Sequence, residues 1–556
     1  MSDVSVVSGT SSGSTTYVST SNLDSEALIE AAVQQRLAPA DRLEVEIAEE
    51  EAKVAAYEEL QSLTSAAASS AGTLRNPDDG GADVFESKLA YVSSSNGTDP
   101  NSLVGVTVNE EAQAGSYDLE IVQTAEAQKV SGGDMASRDA DLGLSGSFSI
   151  AAEGAAGATI DVTATMSLDE IAEAINAEAE ATGVSASVIK VSDTAYRLVL
   201  SAEDTAKSIS VSDTTGTVLQ DLGLTLADGS FADELQAAQP AIIRLDGVEI
   251  TRDDNEIDDI LDGVTLYLYE AEVGTTLQVD VETNLSAIIE DINALVEDYN
   301  AYREFVLRQQ EVGEEGEVSA EAALFGDTLL RNLNAQVSSA LTSYDDTAAL
   351  SSLADIGLTF DENNYLVVDD AALEEALLSD LEGVESLFQF QMTASSGDLE
   401  VLRNGSGPAE QSFTLDITVD AQGNVTSAAV GGDTSLFTVD GSRLIGAEGS
   451  PYDGLVLVFT GDQSTSIDVE ISRGIAEQLY GSFAAYGDTQ EGQIQEVIES
   501  AEDSIDAMSD QVLDIERRAE DYRQRLIEYY AYLESQIAEA NRLKDQLQAL
   551  FGNDDD

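Results

Sequence analysis

The stretch Gln493–Phe551 reads QIQEVIESAEDSIDAMSDQVLDIERRAEDYRQRLIEYYAYLESQIAEANRLKDQLQALF. From Ile494, alternate steps of four and three residues land on Ile498, Ala501, Ile505, Met508, Val512, Ile515 and Ala519. The same steps continue through Tyr522, Leu526, Tyr529, Leu533, Gln536, Ala540, Leu543, Leu547 and Leu550. Of these 17 positions 16 are apolar and only Gln536 is polar. An apolar seam held in register for eight heptads is a coiled-coil pattern, longer than one amphipathic surface helix requires. The spacing predicts an almost unbroken helix of roughly 85 Å at 1.5 Å rise per residue. Six of the chain's 24 basic residues (Arg517, Arg518, Arg523, Arg525, Arg542 and Lys544) lie here among acids, which suits packing between helices. Its own domain cannot bury so long a seam, so a partner is expected.

The opposite end of the chain offers one. After a Ser/Thr/Gly-rich leader, expected to be disordered in the isolated subunit because residues 8–22 are too polar to bury, helix-forming sequence runs from Leu23 to about Leu74. Leu28, Ile29, Leu43, Ile47, Val54 and Tyr57 are its candidate packing residues. Pro39 lies inside the pattern and is expected to end or kink the helix there. Asn76-Pro77-Asp78-Asp79-Gly80-Gly81 is a breaker cluster and an expected domain boundary. The two terminal helices are therefore expected to meet in one helical stalk. The simpler alternative is that both seams are core packing of a single bundle.

Between them the pattern changes. Val104–Val108 and Tyr117–Val122 alternate as strands, with Gly115-Ser116 expected as the turn. Ala158–Thr165 reads as a strand, and Ser167-Leu-Asp-Glu170 is a capping box opening a helix with Leu168, Ile171, Ala172 and Ile175 on one face, expected to stop at Gly183. Val184–Val191 and Tyr196–Ser201 follow as strands, and Asp246-Gly247 marks a hairpin in a second β block over 241–282. Helices are expected again at 285–309, 326–342, 370–380 and 383–389, with a β-rich island over 411–473.

Composition excludes whole classes of function. The 556 residues allow three or four domains at about 100–200 residues each. Acids number 107 against 24 bases, a formal net charge of −83, so the clustered cations of a duplex nucleic-acid binder are missing. The chain has no Cys, His or Trp, which removes disulfides, thiolate nucleophiles, Cys/His zinc sites and imidazole-based triads. Paired acids such as Asp253-Asp254 and Asp345-Asp346 lack the alternating ligand spacing of a calcium loop. No phosphate loop, nucleophile elbow or cofactor fingerprint appears, so no enzyme activity, cofactor or metal is expected. No apolar run is long enough to span a membrane, and no secretory signal peptide is read at the start. An acidic coat spread over every segment, with only six lysines, points to a saline setting, where salt relieves self-repulsion.

Several short motifs, in order, resemble the flagellar hook-associated protein 2 family, the flagellar filament caps. Ser21-Asn-Leu-Asp-Ser25, Leu28-Ile29 and Leu37-Ala-Pro39 are similar to its opening, with Asn22 at the usual glycine. Ala55-Ala-Tyr57-Glu-Glu-Leu60 resembles its Ala-Tyr-x-x-Leu helix, and Val296-Glu-Asp-Tyr299-Asn300 its Val-x-x-Tyr-Asn helix. Residues 158–201, with Ile175-Asn176-Ala177 and Tyr196–Leu200, resemble the β-α-β-β motif of flagellins and hook proteins. Leu353-Ala-Asp-Ile-Gly357 with Leu366–Asp369 resembles a further element of the family.

The resemblance implies an α+β multidomain chain, in which a helical stalk of both termini and a helical bundle carry β-rich outer domains. The expected domains are 1–45 with 505–556 (leg), 46–87 with 284–400 and 476–504 (bundle), 88–130 with 239–283 (β-rich), 131–238 (β-α-β-β) and 401–475 (β-rich insertion). It implies a small homo-oligomeric ring, a pentamer or neighbouring stoichiometry, at the distal filament tip. This ring would promote flagellin folding and insertion. Implied partners are flagellin, hook–filament junction proteins and an export chaperone, with secretion by the flagellar type III route, no nucleic acid and no membrane insertion. The expected assembly seam is Ile505, Met508, Val512, Ile515, Tyr522, Leu526, Tyr529, Leu533, Leu543, Leu547 and Leu550. Two other classes remain open, a secreted adhesin binding surface or host glycans, and a filament or junction subunit.

Overall fold

The computed structural model describes residues 25–75, 83–313, 316–344, 349–405, 408 and 410–551. The leader, the 76–81 breaker cluster and Asp345-Asp346 lie outside the described residues, as does the side chain of Leu550. Among the described residues the helices are α1 (Ser25–Thr73), α2 (Leu168–Asn176), α3 (Ala179–Thr182), α4 (Val218–Asp221), α5 (Leu285–Arg308), α6 (Thr328–Leu341), α7 (Asp370–Ser379), α8 (Leu381–Phe388), α9 (Ile475–Gly487) and α10 (Gln493–Phe551). All the strand pairings between them are antiparallel. The described residues form two compact units, one up to Arg75 and again from Ile292, the other ending at Asp291, so that the boundary falls inside α5.

In the first unit, α1 packs along α9 and α10. Its lower half buries Leu60, Ala67 and Ala71, while α5 contributes Ile292, Tyr302 and Phe305, and α9 contributes Leu479 and Phe483. Pro39 does not break α1, which is one helix from Ser25 to Thr73. Proline removes the N–H that would reach the Gln35 carbonyl. Both residues are exposed, and the packing of α1 against α10 carries the helix through.

The centre of this unit holds an aromatic pair, Tyr302 and Phe483, edge to face at 5.3 Å. The Tyr302 hydroxyl is buried without a hydrogen-bond partner among the described residues, and burial pushes its pKa above the usual phenol range. An unsatisfied buried hydroxyl is a cost that phenylalanine lacks. Tyr302→Phe is therefore expected to raise stability by about 1 kcal/mol in urea unfolding. A drop in the unfolding midpoint would mean that the hydroxyl has a partner in solution.

The motif Val296–Asn300 has a clear task. The Asn300 amide donates to the Leu366 carbonyl at 2.9 Å, and its Oδ1 accepts from the Leu366 N–H at 2.8 Å, so one side chain pairs with the backbone as a strand would. Beside it the Tyr299 hydroxyl donates to the Asn364 carbonyl at 2.8 Å. Together they fasten the hairpin of Leu358–Phe360 and Leu366–Val368 to α5.

The β-rich island expected over 411–473 begins earlier, at Phe390. Strand Phe390–Ala394 pairs with Thr465–Arg473, which pairs with Glu410–Val419 and through it with Val425–Val430. A second sheet orders Leu399–Arg403, Val456–Phe459, Arg443–Gly446 and Phe437–Asp440. Phe390 at its start follows α8 so closely that the apolar pattern of the helix runs straight into the strand.

The second unit has two cores. A five-stranded sheet runs Lys88–Ser94, Leu277–Thr283, Gly115–Gln123, Ala241–Leu245, Val248–Arg252, and shares a core containing Leu119, Ile243, Leu266 and Val279 with the sheet of Glu256–Ile257, Val264–Leu268 and Val104–Val108. Gly115-Ser116 is not a turn: both residues are paired, with Val281 and Asp280. The chain turns earlier, where Asn109 accepts from the Ala112 N–H. Asp246 and Gly247, at φ 49° and 79°, join Leu245 to Val248 in the all-positive geometry of a type I′ hairpin.

The other core contains Phe148, Ile150, Leu168, Ile171 and Leu200. The capping box at Ser167 is formed: Ser167 N–H donates to the Glu170 carboxylate at 2.8 Å and Glu170 N–H to the Ser167 hydroxyl at 3.3 Å. The helix it opens ends at Asn176 and not at Gly183. The Asn176 side chain is drawn off to the Ala186 backbone, accepting from its N–H at 2.7 Å and donating to its carbonyl at 2.9 Å, and only the short α3 reaches Gly183.

Candidate assembly surface on the terminal helices

The pairing of α1 with α10 is antiparallel, and a few polar contacts fix its register. Ser25 Oγ donates to Glu534 at 2.6 Å, and Gln61 donates to Gln495 at 3.2 Å. Between them the Arg36 guanidinium stands 4.6 Å above the Tyr522 ring, with Arg525 5.9 Å from the same ring. A cation over an aromatic face adds attraction where an exposed ion pair adds little. At the bundle end Tyr57 is buried and its hydroxyl donates to Asp327 at 2.8 Å. Burial first, and then the Asp327 carboxylate, push the Tyr57 pKa up. Asp327 also caps α6 by accepting from the Leu330 N–H, so one carboxylate ties α1 to the start of α6.

Burial along the seam alternates as far as Ala519, and no seam residue described beyond Ala519 is buried. Ile494 is fully buried, and Val512 and Ala519 are still buried. Ile505, Met508, Ile515, Tyr522, Leu526 and Leu533 are half-buried. Tyr529, Leu543 and Leu547 are exposed, at 57%, 55% and 52%. On α1, Ile29, Leu43, Ile47 and Val54 are half-buried, and Leu28 is 49% exposed, off the stripe that faces α10. The physical reason is simple. Two helices cover only one side of each other, so seam residues beyond the bundle keep an open flank. Beyond Glu534 no described residue of α1 lies opposite α10 at all.

Sequence reasoning missed three contacts that position this surface: Asp327 under Tyr57, the Arg36–Tyr522 stack, and the Ser25–Glu534 bond. Periodicity marks apolar seams, but it carries no signal for polar pairs separated by hundreds of residues.

The sequence model for the C-terminus of flagellar hook-associated protein 2 matches residues 238–542, more than half of the chain. The chain belongs to the flagellar hook-associated protein 2 family. The family's N-terminal model matches residues 21–128, and a flagellin hook IN motif matches residues 147–204, which hold the capping box. The A-type flagellar hook-associated protein 2 of Pseudomonas aeruginosa is 26% identical over 311 residues, 52% of this chain and 65% of that protein. The flagellar hook-associated protein 2 of Escherichia coli K12 is 30% identical over 243 residues, 41% of this chain. The chain thus spans from about half to just under two thirds of the length of these curated relatives.

The fold agrees with the family. The crystal structure of the flagellar cap protein FliD, domains D1-D2-D3, from Escherichia coli superposes with a TM-score of 0.52 at 21% identity. It covers 80% of this chain and 99% of that one. Helices from both ends of the chain with antiparallel sheets between them are the α+β architecture of this hook-associated protein family.

Proposed function

We propose that this protein caps the flagellar filament, as a small ring of identical subunits at its distal tip, and guides flagellin into the growing end. The observation that carries the reading is the α1–α10 arm: a member of this family has a long apolar seam whose outer positions Tyr529, Leu543 and Leu547 are left exposed by the described residues. Seam burial against neighbouring subunits and flagellin supplies the driving force, and no covalent step is needed. Junction proteins at the base of the filament, an export chaperone covering α10 before secretion, and export by the flagellar type III route complete the proposal. Among the described residues no helix is long and apolar enough to cross a membrane.

The deciding experiment is electron microscopy of a deletion strain, with flagellin measured in the medium. Loss of filaments with flagellin released outside the cell supports a cap. Intact filaments with lost surface attachment would favour an adhesin, and labelling along the filament instead of at its tip would favour a filament subunit.

Charge adds a further expectation. A net charge of −83 on each subunit sets neighbours against one another, while apolar seams attract at any ionic strength. The screening length is about 10 Å at 0.1 M salt and about 3 Å at 1 M. Light scattering across a salt series at fixed protein concentration is expected to show single subunits in dilute buffer and rings near or above seawater strength. Rings that persist unchanged into millimolar salt would show that the acidic coat does not govern assembly.

A further inference from the structure

We infer that residues 390–473 form a separately folding module on a two-strand neck, and that the helical bundle closes without it. This goes beyond the capping role and does not rest on it.

Three observations carry the inference. Among the described residues the eight strands of this segment pair only with one another, in two four-stranded antiparallel sheets. Their shared core, which includes Leu415, Leu444, Leu457 and Ile467, draws on no residue outside the segment, and its partly buried rim does not either. A segment of this length lies above the 55–65 residues at which many domains already fold alone.

The neck is the third. Phe390 and Arg473 are direct partners across the first strand pair, so the chain enters and leaves the module at neighbouring positions. Opposite residues of an antiparallel pair stand about 4.5–5.5 Å apart, a gap that a two-residue turn spans. Immediately below, the Gly474 N–H donates to the Gln389 carbonyl at 2.7 Å. Gln389 is the C-cap of α8 and Gly474 the N-cap of α9, so a backbone hydrogen bond already joins the two helices beneath the module. The approach is close enough to demand glycine: a Cβ on residue 474 would stand 2.2 Å from the Phe388 carbonyl carbon. Gln478 Nε2 donates to the Arg473 carbonyl at 2.7 Å and pins the first turn of α9 to the same point. The bundle therefore has its own closure, and the module's fold has no need of it.

Hydrogen exchange on the full chain tests this from both sides. Leu457→Asp places a charge at a fully buried position of the module core. It is expected to lower amide protection across 390–473 by about 100-fold or more while α5 and α9 change less than about threefold. Phe483→Ala, in the bundle, is expected to do the reverse. A third variant, with residues 390–473 replaced by Asn-Gly, is expected to keep the exchange pattern of α5 and α9. Loss of protection in α5 and α9 in the first and third variants would overturn the inference, as would loss within 390–473 in the second.

Discussion

Cells whose only copy carries Leu533→Asp together with Leu543→Asp are expected to lose filaments and to release flagellin into the medium. Leu533 is half-buried beside the end of α1, and Leu543 is 55% exposed on the part of α10 that no described residue of α1 faces. A carboxylate at an exposed position costs the free subunit little, but the same group buried against a partner is unpaired and expensive. The subunit is therefore expected to keep its sheets and bundle, with near-unchanged thermal unfolding, while assembly fails. Leu543→Asp alone separates the two roles most cleanly, because its side chain already faces solvent. Normal filaments from the double variant would defeat the assembly role of α10.

The second large effect lies in the bundle. Phe483 is fully buried and edge-on to Tyr302. Phe483→Ala removes a large apolar side chain from a site where rigid helices cannot collapse onto the cavity, and is expected to cost about 3–5 kcal/mol. Urea unfolding followed by far-ultraviolet circular dichroism measures it through the helical signal. A loss below about 1 kcal/mol would mean that the bundle repacks more freely than its close contacts imply.

The helices were legible because their signals are local and long. The seam from Ile494 to Leu550 marked α10, and the Ser167–Glu170 box marked the start of α2. Strand edges were less so. Gly115 reads as a turn residue because glycine usually is one, yet here it sits in a strand opposite Val281, a partner more than 160 residues away that no local pattern reveals. Pro39 misleads for a related reason: its local cost of about 3 kcal/mol is real, but packing of α1 along α10 between Gln495 and Glu534 outweighs it. Of the assembly surface, the sequence shows which residues are apolar. It does not show which of them α1 covers, and that difference separates Val512 from Leu547.

The pairing of the first helix with the last also sets an order in time. The Ser25–Glu534 bond joins residues 509 positions apart, and contacts of such separation form late because the chain between must first be organised. During synthesis at about 5–20 residues per second, α1 emerges and then waits roughly 20–80 s before α10 exists to receive it. Tyr57, Phe305 and Ile494 are buried in the bundle, whereas beyond Ala519 no described residue of α10 is buried. Until α10 is made, Ile29, Leu43 and Ile47 of α1 lack the helix that half-buries them, so the arm closes only after the segments between have been made.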